Sequence, residues 1–206
     1  STEDLGAISF TRLPVGIVAD AAIKQAIFEK NAWLEERGRI NRVLGCPGHL
    51  DFLKSLSRRM SGNVDVVVTE LKAGERPVSW EVGFRHNGIH YGYITSHVNA
   101  LTDLSPGRLH MDLSQRACLN DGMKSFDLMV PNDVHKESWS SATVNTEDYF
   151  LPLSPLGSVI GHGYLRWIRP LFRKVYYSLD RETLRRINLK VTISNLFKSA
   201  KEPKPD

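Results

Sequence analysis

The tripeptide Ser105-Pro106-Gly107 has the residue types needed to open a helix against an anion. Ser105 suits the N-cap, Pro106 sits where its missing N–H costs nothing, and Gly107 lets a ligand approach the backbone. Such a start leaves amides pointing outward at the positive end of the helix dipole, a site for a phosphate. Arg108 adds a charge there, and Leu109 joins the same first turn. Further on, Phe126-Asp127-Leu128 leads into His135-Lys136-Glu137-Ser138-Trp139. A lysine in that position can hold a phosphate or carboxylate, and Trp139 can supply a flat apolar wall. The plain alternatives are a solvated Lys136 and a tryptophan packed in the core.

The elements that position these residues follow from periodicity. An amphipathic helix is expected from about Ala19 to Arg37, with Ile23, Ile27, Lys30 or Asn31, and Leu34 on one face, and a second from about Gly48 to Met60. The period then falls to two at Val64, Val66 and Val68, and a strand from Pro77 to Arg85 follows. Asn87-Gly88 predicts a type I′ hairpin, because both residues accept positive φ. The returning strand carries Ile89, Tyr91, Tyr93 and Thr95 on one face and ends at His97. The helix from Pro106 has Leu109, Leu113 and Ala117 as its expected buried stripe and Asp121-Gly122 as its stop. Strands over Lys124–Val130 and Thr143–Phe150 complete an α+β domain on a mixed sheet.

The chain has 206 residues, 41% of them hydrophobic, enough for a sizeable core. It contains no apolar run of the ~20 residues needed to span a bilayer, and its first residues lack the charged-then-apolar pattern of a leader, so a soluble or peripheral protein is expected. Cys46 and Cys118 have no metal-ligand spacing and read as two reduced thiols. The net charge of +4 is unevenly spread: from Tyr164 onward eleven Lys and Arg face four Asp and Glu, a surplus of seven, so residues 1–163 carry minus three.

In order and spacing, Ser105-Pro106-Gly107, Phe126-Asp127, Lys136 and Trp139 resemble the GNAT acyltransferase superfamily, and within it the acetyltransferase-like family described by its cellulose-biosynthesis members, related to FemABX-type transferases. Two positions depart from that family's pattern: Pro131 replaces a common glycine and His135 the usual tyrosine. The resemblance implies a mostly antiparallel, GNAT-like mixed sheet flanked by helices, with extra C-terminal helices. The implied organisation is a connecting helical segment over residues 1–62, a GNAT-like core over 63–155, basic helices over 156–198 and a disordered tail over 199–206. Members of that family are often much longer than this chain, and a chain beginning at Ser1 is expected to be processed or part of something longer.

The resemblance also implies a mechanism. The pyrophosphate of an acyl-coenzyme A, acetyl or longer, would rest on Ser105, Pro106, Gly107, Arg108 and Leu109. Its pantetheine arm would lie where the strand Ile89–His97 splays from a parallel neighbour, with strand amides polarising the thioester carbonyl. No metal is implied. Transfer to an amine needs a base, since a protonated amine has no lone pair. His97 is the first candidate because an unperturbed imidazole titrates near pH ~6.5; Asp127 and His135 are the next two. The alternatives are a structurally satisfied histidine and an aspartate that caps a turn. Lys136, Trp139 and Tyr93 are the candidate substrate-binding residues.

The C-terminal segment 164–177 interleaves aromatic and basic residues. It suits a membrane interface, a nucleic acid, or helices packed on the domain with snorkelling cations; Pro170 is expected to break it. The functional expectation is an acyl-coenzyme A-dependent N-acyltransferase for an amine of a sugar, amino-acid or lipid precursor of the cell envelope or an exopolysaccharide, cytoplasmic and in peripheral contact with the membrane's inner face. Two other readings stand beside it: a FemABX-like enzyme using aminoacyl-transfer RNA, the only nucleic acid then expected, and a non-catalytic binding module in a polysaccharide-synthesis assembly.

Overall fold

A computed structural model describes residues 6–39, 41, 43–59, 64–130, 134–147, 149–179, 182–183 and 186. The chain forms two compact units, Ser1–Glu36 with Ile40–Ser140, and Arg37–Arg39 with Ser141–Asp206. Residues 199–206, expected to be disordered, lie outside the described residues.

In the first unit, strand β1 (Ile8–Arg12) precedes helices α1 (Ile17–Glu36) and α2 (Pro47–Ser57). Strands β2 (Asp65–Ala73), β3 (Arg76–His86) and β4 (Ile89–His97) form a meander. A 3-10 turn (Asn99–Leu104), helix α3 (Pro106–Asn120), strand β5 (Ser125–Asp127) and helix α4 (Val134–Glu137) follow. The sheet order is β1-β2-β3-β4-β5; β4 and β5 are parallel and the other pairs antiparallel. This is the mixed, mostly antiparallel α+β fold expected. The hairpin between β3 and β4 turns at Asn87 (φ 49°) and Gly88 (φ 78°), the positive pair that a type I′ turn demands.

Helices α1 and α2 cover one face of the sheet. Ala19, Ala22, Ile23, Ala26 and Ile27 recur at helical spacing and meet Leu53, Val68, Trp80, Val82 and Ile94. Ile23, Leu53 and Val82 are fully buried, and each such side chain contributes about 1.5–3 kcal/mol. The second helix ends at Ser57, short of the expected Met60, which lies outside the described residues.

Helix α3 covers the other face, and here the expected stripe holds in part: Leu113 packs against Leu71, Ala73 and Val78, and Ala117 is half-buried. Its buried residues are Pro106, His110, Ser114 and Cys118, while Leu109 is exposed. The reason is the sheet beneath, where β2 and β3 present Thr69, Ser79 and Glu81. His110 is held there, with Nε2 2.8 Å from Thr69 Oγ1 and Nδ1 2.9 Å from Ser79 Oγ. Ser79 donates its own proton to the Ser96 carbonyl, so its oxygen accepts from His110 Nδ1–H, and Thr69 donates to Nε2. Burial pulls the pKa of this imidazole down to about 4, which keeps it neutral.

Two further expectations differ. The described residues of Thr143–Phe150 belong to no strand, because their apolar residues do not alternate: Val144, Tyr149 and Phe150 are all exposed. The expected strand Lys124–Val130 shrinks to β5, for reasons given below. In the second unit, helices α5 (Pro155–Val159) and α6 (Arg169–Ser178) join through a π-helix at Ile160–Ile168. Pro170 therefore does not break the run. The Arg169 amide already bonds to the Tyr164 carbonyl, five residues back, and these wide turns move aside the carbonyl that a proline ring would strike.

Candidate functional site

The site begins with an irregularity in β4. Across β3 and β4, Val82 pairs with Ile94 but Gly83 pairs with Gly92, so Tyr93 is an extra residue, a β-bulge. Crowding requires the first of these glycines and favours the second. A Cβ on Gly83 would stand 2.5 Å from His90 Nε2, and one on Gly92 would stand 3.2 Å from the Phe126 ring. The parallel ladder with β5 holds only three pairs and stops at Tyr91–Asp127, while β4 runs on to His97. Beyond that pair residues 92–97 have no partner strand on this edge among the described residues, a gap in the ladder of about 20 Å at ~3.3 Å per residue.

Asp127 and Lys136 explain why β5 stops. Asp127 Oδ1 accepts a hydrogen bond from the Met129 amide at 2.6 Å, and Lys136 Nζ donates to the Met129 carbonyl at 2.9 Å. Met129 itself is bent into the left-handed region at φ 56°, unusual for a side chain of its size. Asp127 thus caps a turn, the plainer of its two expected roles, and Lys136 reaches back to the same turn. Trp139 follows half-buried, its amide bonded to the Lys136 carbonyl at 3.0 Å. His135 falls in α4, and its side chain lies outside the described residues.

At the other end of the gap, β4 delivers His97 to the start of α3. Its Nδ1 lies 3.3 Å from where a Cβ on Gly107 would stand, and Nε2 lies 3.4 Å from Thr102 Oγ1. The imidazole thus closes on Gly107, and a side chain there would have to displace it. Pro106 occupies the first helical turn as expected, but Ser105 does not cap with its hydroxyl. Its backbone is left-handed (φ 53°, ψ 44°), which turns the side chain away and presents the carbonyl. That carbonyl accepts from the amides of Arg108 at 3.0 Å and Leu109 at 3.4 Å. Both side chains are exposed on the first turn.

Tyr93 turns toward α2. Its hydroxyl is 3.2 Å from His49 Nε2, and its ring lies 5.2 Å from that of Phe84. Burial raises the phenol pKa and lowers that of His49, so Tyr93 O–H donates to a neutral imidazole.

Behind the bulge, Glu81 and His90 form a buried pair at 2.8 Å, both side chains at most 2% exposed. Burial alone would pull His90 down, but its hydrogen bonds to Cys118 and Glu81 and the Glu81 charge outweigh that and raise its pKa to about 9. Arg85 flanks the pair and binds Asp121 at 2.7 Å.

The structure thus brings His97 and the Ser105–Leu109 turn together at one end of the gap, and Asp127 and Lys136 at the other. Tyr93 sits between them but faces the helices. Sequence reasoning missed His49, Glu81 and His90, as well as the bulge. The glycines gave one signal: isolated Gly83 and Gly92 inside strand patterns mark bulges and close approaches. Among the described residues no group of three His, Cys, Asp or Glu could hold a metal.

A bulged strand with a short parallel ladder beside a helix N-terminus is the arrangement that the resemblance to GNAT transferases implies. Residues 1–137 match the family model described as Acetyltransferase (GNAT) domain, and the chain belongs to that family of acyl-transferring domains. Solved structures with related shape include an aminoglycoside acetyltransferase from an uncultured soil metagenomic sample in complex with sisomicin, at 12% identity and TM-score 0.48 over 71% of this chain and 97% of that one. Another is a GNAT family acetyltransferase from Staphylococcus aureus, at 10% identity and TM-score 0.45 over 69% and 98%. No curated protein matches the sequence.

Proposed function

We propose that the chain transfers an acyl group, acetyl or longer, from coenzyme A to an amine of a sugar, amino-acid or lipid precursor in cytoplasmic reactions of the cell envelope or an exopolysaccharide, as in the cellulose-biosynthesis branch of the family. The observation that carries this reading is the gap beside residues 92–97, which runs from the Asp127 turn to the Gly107 helix start. A pantetheine arm lies along such a strand edge, its pyrophosphate at the first turn of α3 with Arg108 beside it. Backbone amides at the bulge polarise the thioester carbonyl. The amine nitrogen forms the new bond to the carbonyl carbon, the carbon–sulfur bond breaks, and coenzyme A leaves as the thiolate.

The amine's proton goes to a neutral imidazole. His97 stands at the donor end of the gap, whereas His49 stands on the α2 side and is lowered by burial into its neutral form. His97, the first choice from sequence, lies four residues along β4 from the bulge, about 13 Å at ~3.3 Å per residue, whereas His49 is bonded to Tyr93 at the bulge itself, so the two are the competing bases. Lys136 and Trp139 border the far end, where an acceptor would enter.

A second reading, a binding module without turnover, is favoured by one observation. The Arg108 and Leu109 amides that a pyrophosphate would use are directed at the Ser105 carbonyl. Calorimetric titration with acetyl-coenzyme A, a long-chain acyl-coenzyme A and free coenzyme A separates the two. Micromolar binding that Gly107→Glu abolishes is expected, since that side chain meets His97 and puts a negative charge at the anion site. No affinity for any of the three in the wild type would overturn the acyltransferase reading.

A further inference from the structure

The second unit has an unusual balance of surfaces. Residues 155–178 are helical throughout, yet among the described residues of this unit only Gly38 and Gly161 are buried. Among its described residues no apolar side chain belongs to a buried core. Trp167 is 70% exposed, Phe172 67% and Leu171 64%, with Tyr164, Ile168 and Val175 at least 44% exposed. A helix owes most of its stability to packing of its apolar side, so this one is built to lie on something.

Charge narrows what that is. Residues 155–178 contain no Asp or Glu, while Arg166, Arg169, Arg173 and Lys174 are all exposed. In α6 the helical period places Leu171, Phe172 and Val175 on one side and Arg169 and Arg173 on the other. Arg166 lies 5.8 Å from the Trp167 ring centre, a cation beside an amphipathic indole. A second copy of the helix would set four cations against four. An RNA would satisfy the cations and leave the apolar side in water. A bilayer with anionic headgroups meets both demands, taking the apolar side chains at the acyl boundary and the cations at the phosphates. No helix among the described residues is long and apolar enough to cross a membrane, so the segment lies along the surface.

We infer that residues 155–178 are an interfacial helix that docks the protein on anionic phospholipid. Its register is fixed at the start, where Ser154 Oγ accepts from the Gly157 amide at 3.0 Å and Pro155 opens the first turn. The wide turns at Ile160–Ile168 carry the helix past Pro170 without interruption.

Co-sedimentation with vesicles of phosphatidylcholine alone, and of phosphatidylcholine with an equal part of phosphatidylglycerol, tests this. The protein is expected to partition onto the mixed vesicles and at least about ten-fold less onto phosphatidylcholine. Arg166→Gln with Arg169→Gln should lower binding to mixed vesicles by about 25-fold, roughly five-fold per charge. Trp167→Glu with Phe172→Glu should abolish it while the circular dichroism spectrum stays unchanged, because both side chains are on the surface. Quenching of tryptophan fluorescence by bromolipid, lost in Trp167→Phe, would confirm the face. Equal binding to both vesicle types overturns the inference. So does full binding by the Trp167→Glu, Phe172→Glu variant, or concentration-dependent dimerisation or RNA binding without vesicle binding.

Discussion

Gly83→Ala should destabilise this protein through one buried contact, and the structure says by how much. The added carbon would stand 2.5 Å from His90 Nε2, 2.7 Å from Cε1 and 3.0 Å from the Tyr91 carbonyl. The imidazole cannot yield cheaply, because Nε2 is bonded to Glu81 at 2.8 Å in a site closed to water. Moving it strands a buried carboxylate whose second oxygen already lacks a protein partner. Separating a buried ion pair costs about 3–5 kcal/mol. Against this, alanine at a position of ordinary φ gains about 0.4–1 kcal/mol by stiffening the unfolded chain. The net expectation is a loss of about 2–4 kcal/mol, read as a lower urea midpoint at unchanged slope. Gly92→Ala is the control: its nearest neighbour is the edge of the Phe126 ring at 3.2 Å, a half-buried side chain that can shift, so about 1 kcal/mol is expected. Equal effects at the two glycines, or a loss below about 1 kcal/mol at Gly83, would refute the account of a locked Glu81–His90 pair.

The two buried histidines oppose each other in pH. His90, raised to about 9, stabilises fully below its ordinary pKa and loses that contribution as pH rises through about 9; His110, lowered to about 4, stabilises above its ordinary pKa and loses that contribution as pH falls toward 4. Stability should therefore peak near pH ~6.5, with His90→Gln flattening the alkaline limb and His110→Asn the acid one; urea midpoints across pH that ignore both substitutions would disprove it. His97→Ala should cut turnover about 10²–10⁴-fold if it is the base, more than it weakens the donor held at the adjoining Gly107 turn, and the deficit should shrink at high pH where the amine deprotonates unaided. A wild-type rate in His97→Ala, with the loss in His49→Ala instead, would transfer the base role to the α2 side. Lys136→Met should raise the KM for the acyl donor as well as for the acceptor, since it releases the Met129 turn; an effect confined to the acceptor would make Lys136 a substrate ligand.

Much of the frame was readable because it is local. The hairpin needed only Asn87-Gly88, the start of α3 only Pro106, and the first helix only the spacing of Ile23 and Ile27. The misses come from tertiary context. The face of α3 was misjudged in part, because the sheet it meets is polar there, and a buried His110 satisfied by Thr69 and Ser79 looks in sequence like a surface residue. Strand β1 went unnoticed since its residues are mostly exposed and it borrows its order from β2. Ser105 was the right residue type for a cap but took a left-handed backbone, set by the 3-10 turn that feeds it. Of the candidate site, the helix start at Pro106 was legible from its turn residues, whereas the bulge depends on a register that no single strand records.

One backbone residue carries more of the design than its type suggests. Both polar groups of Met129 are held by side chains, its amide by Asp127 and its carbonyl by Lys136, and neither contact belongs to the sheet or the core. The end of the β4–β5 ladder is therefore set by the reach of two side chains on a surface turn. Loops of this kind change readily without loss of the scaffold. Lengthening or shortening that clasp would shift where β5 leaves β4 while Ile23, Leu53 and Val82 stay packed as they are, so that the free edge of β4 and the stability of the core are separately adjustable in this chain.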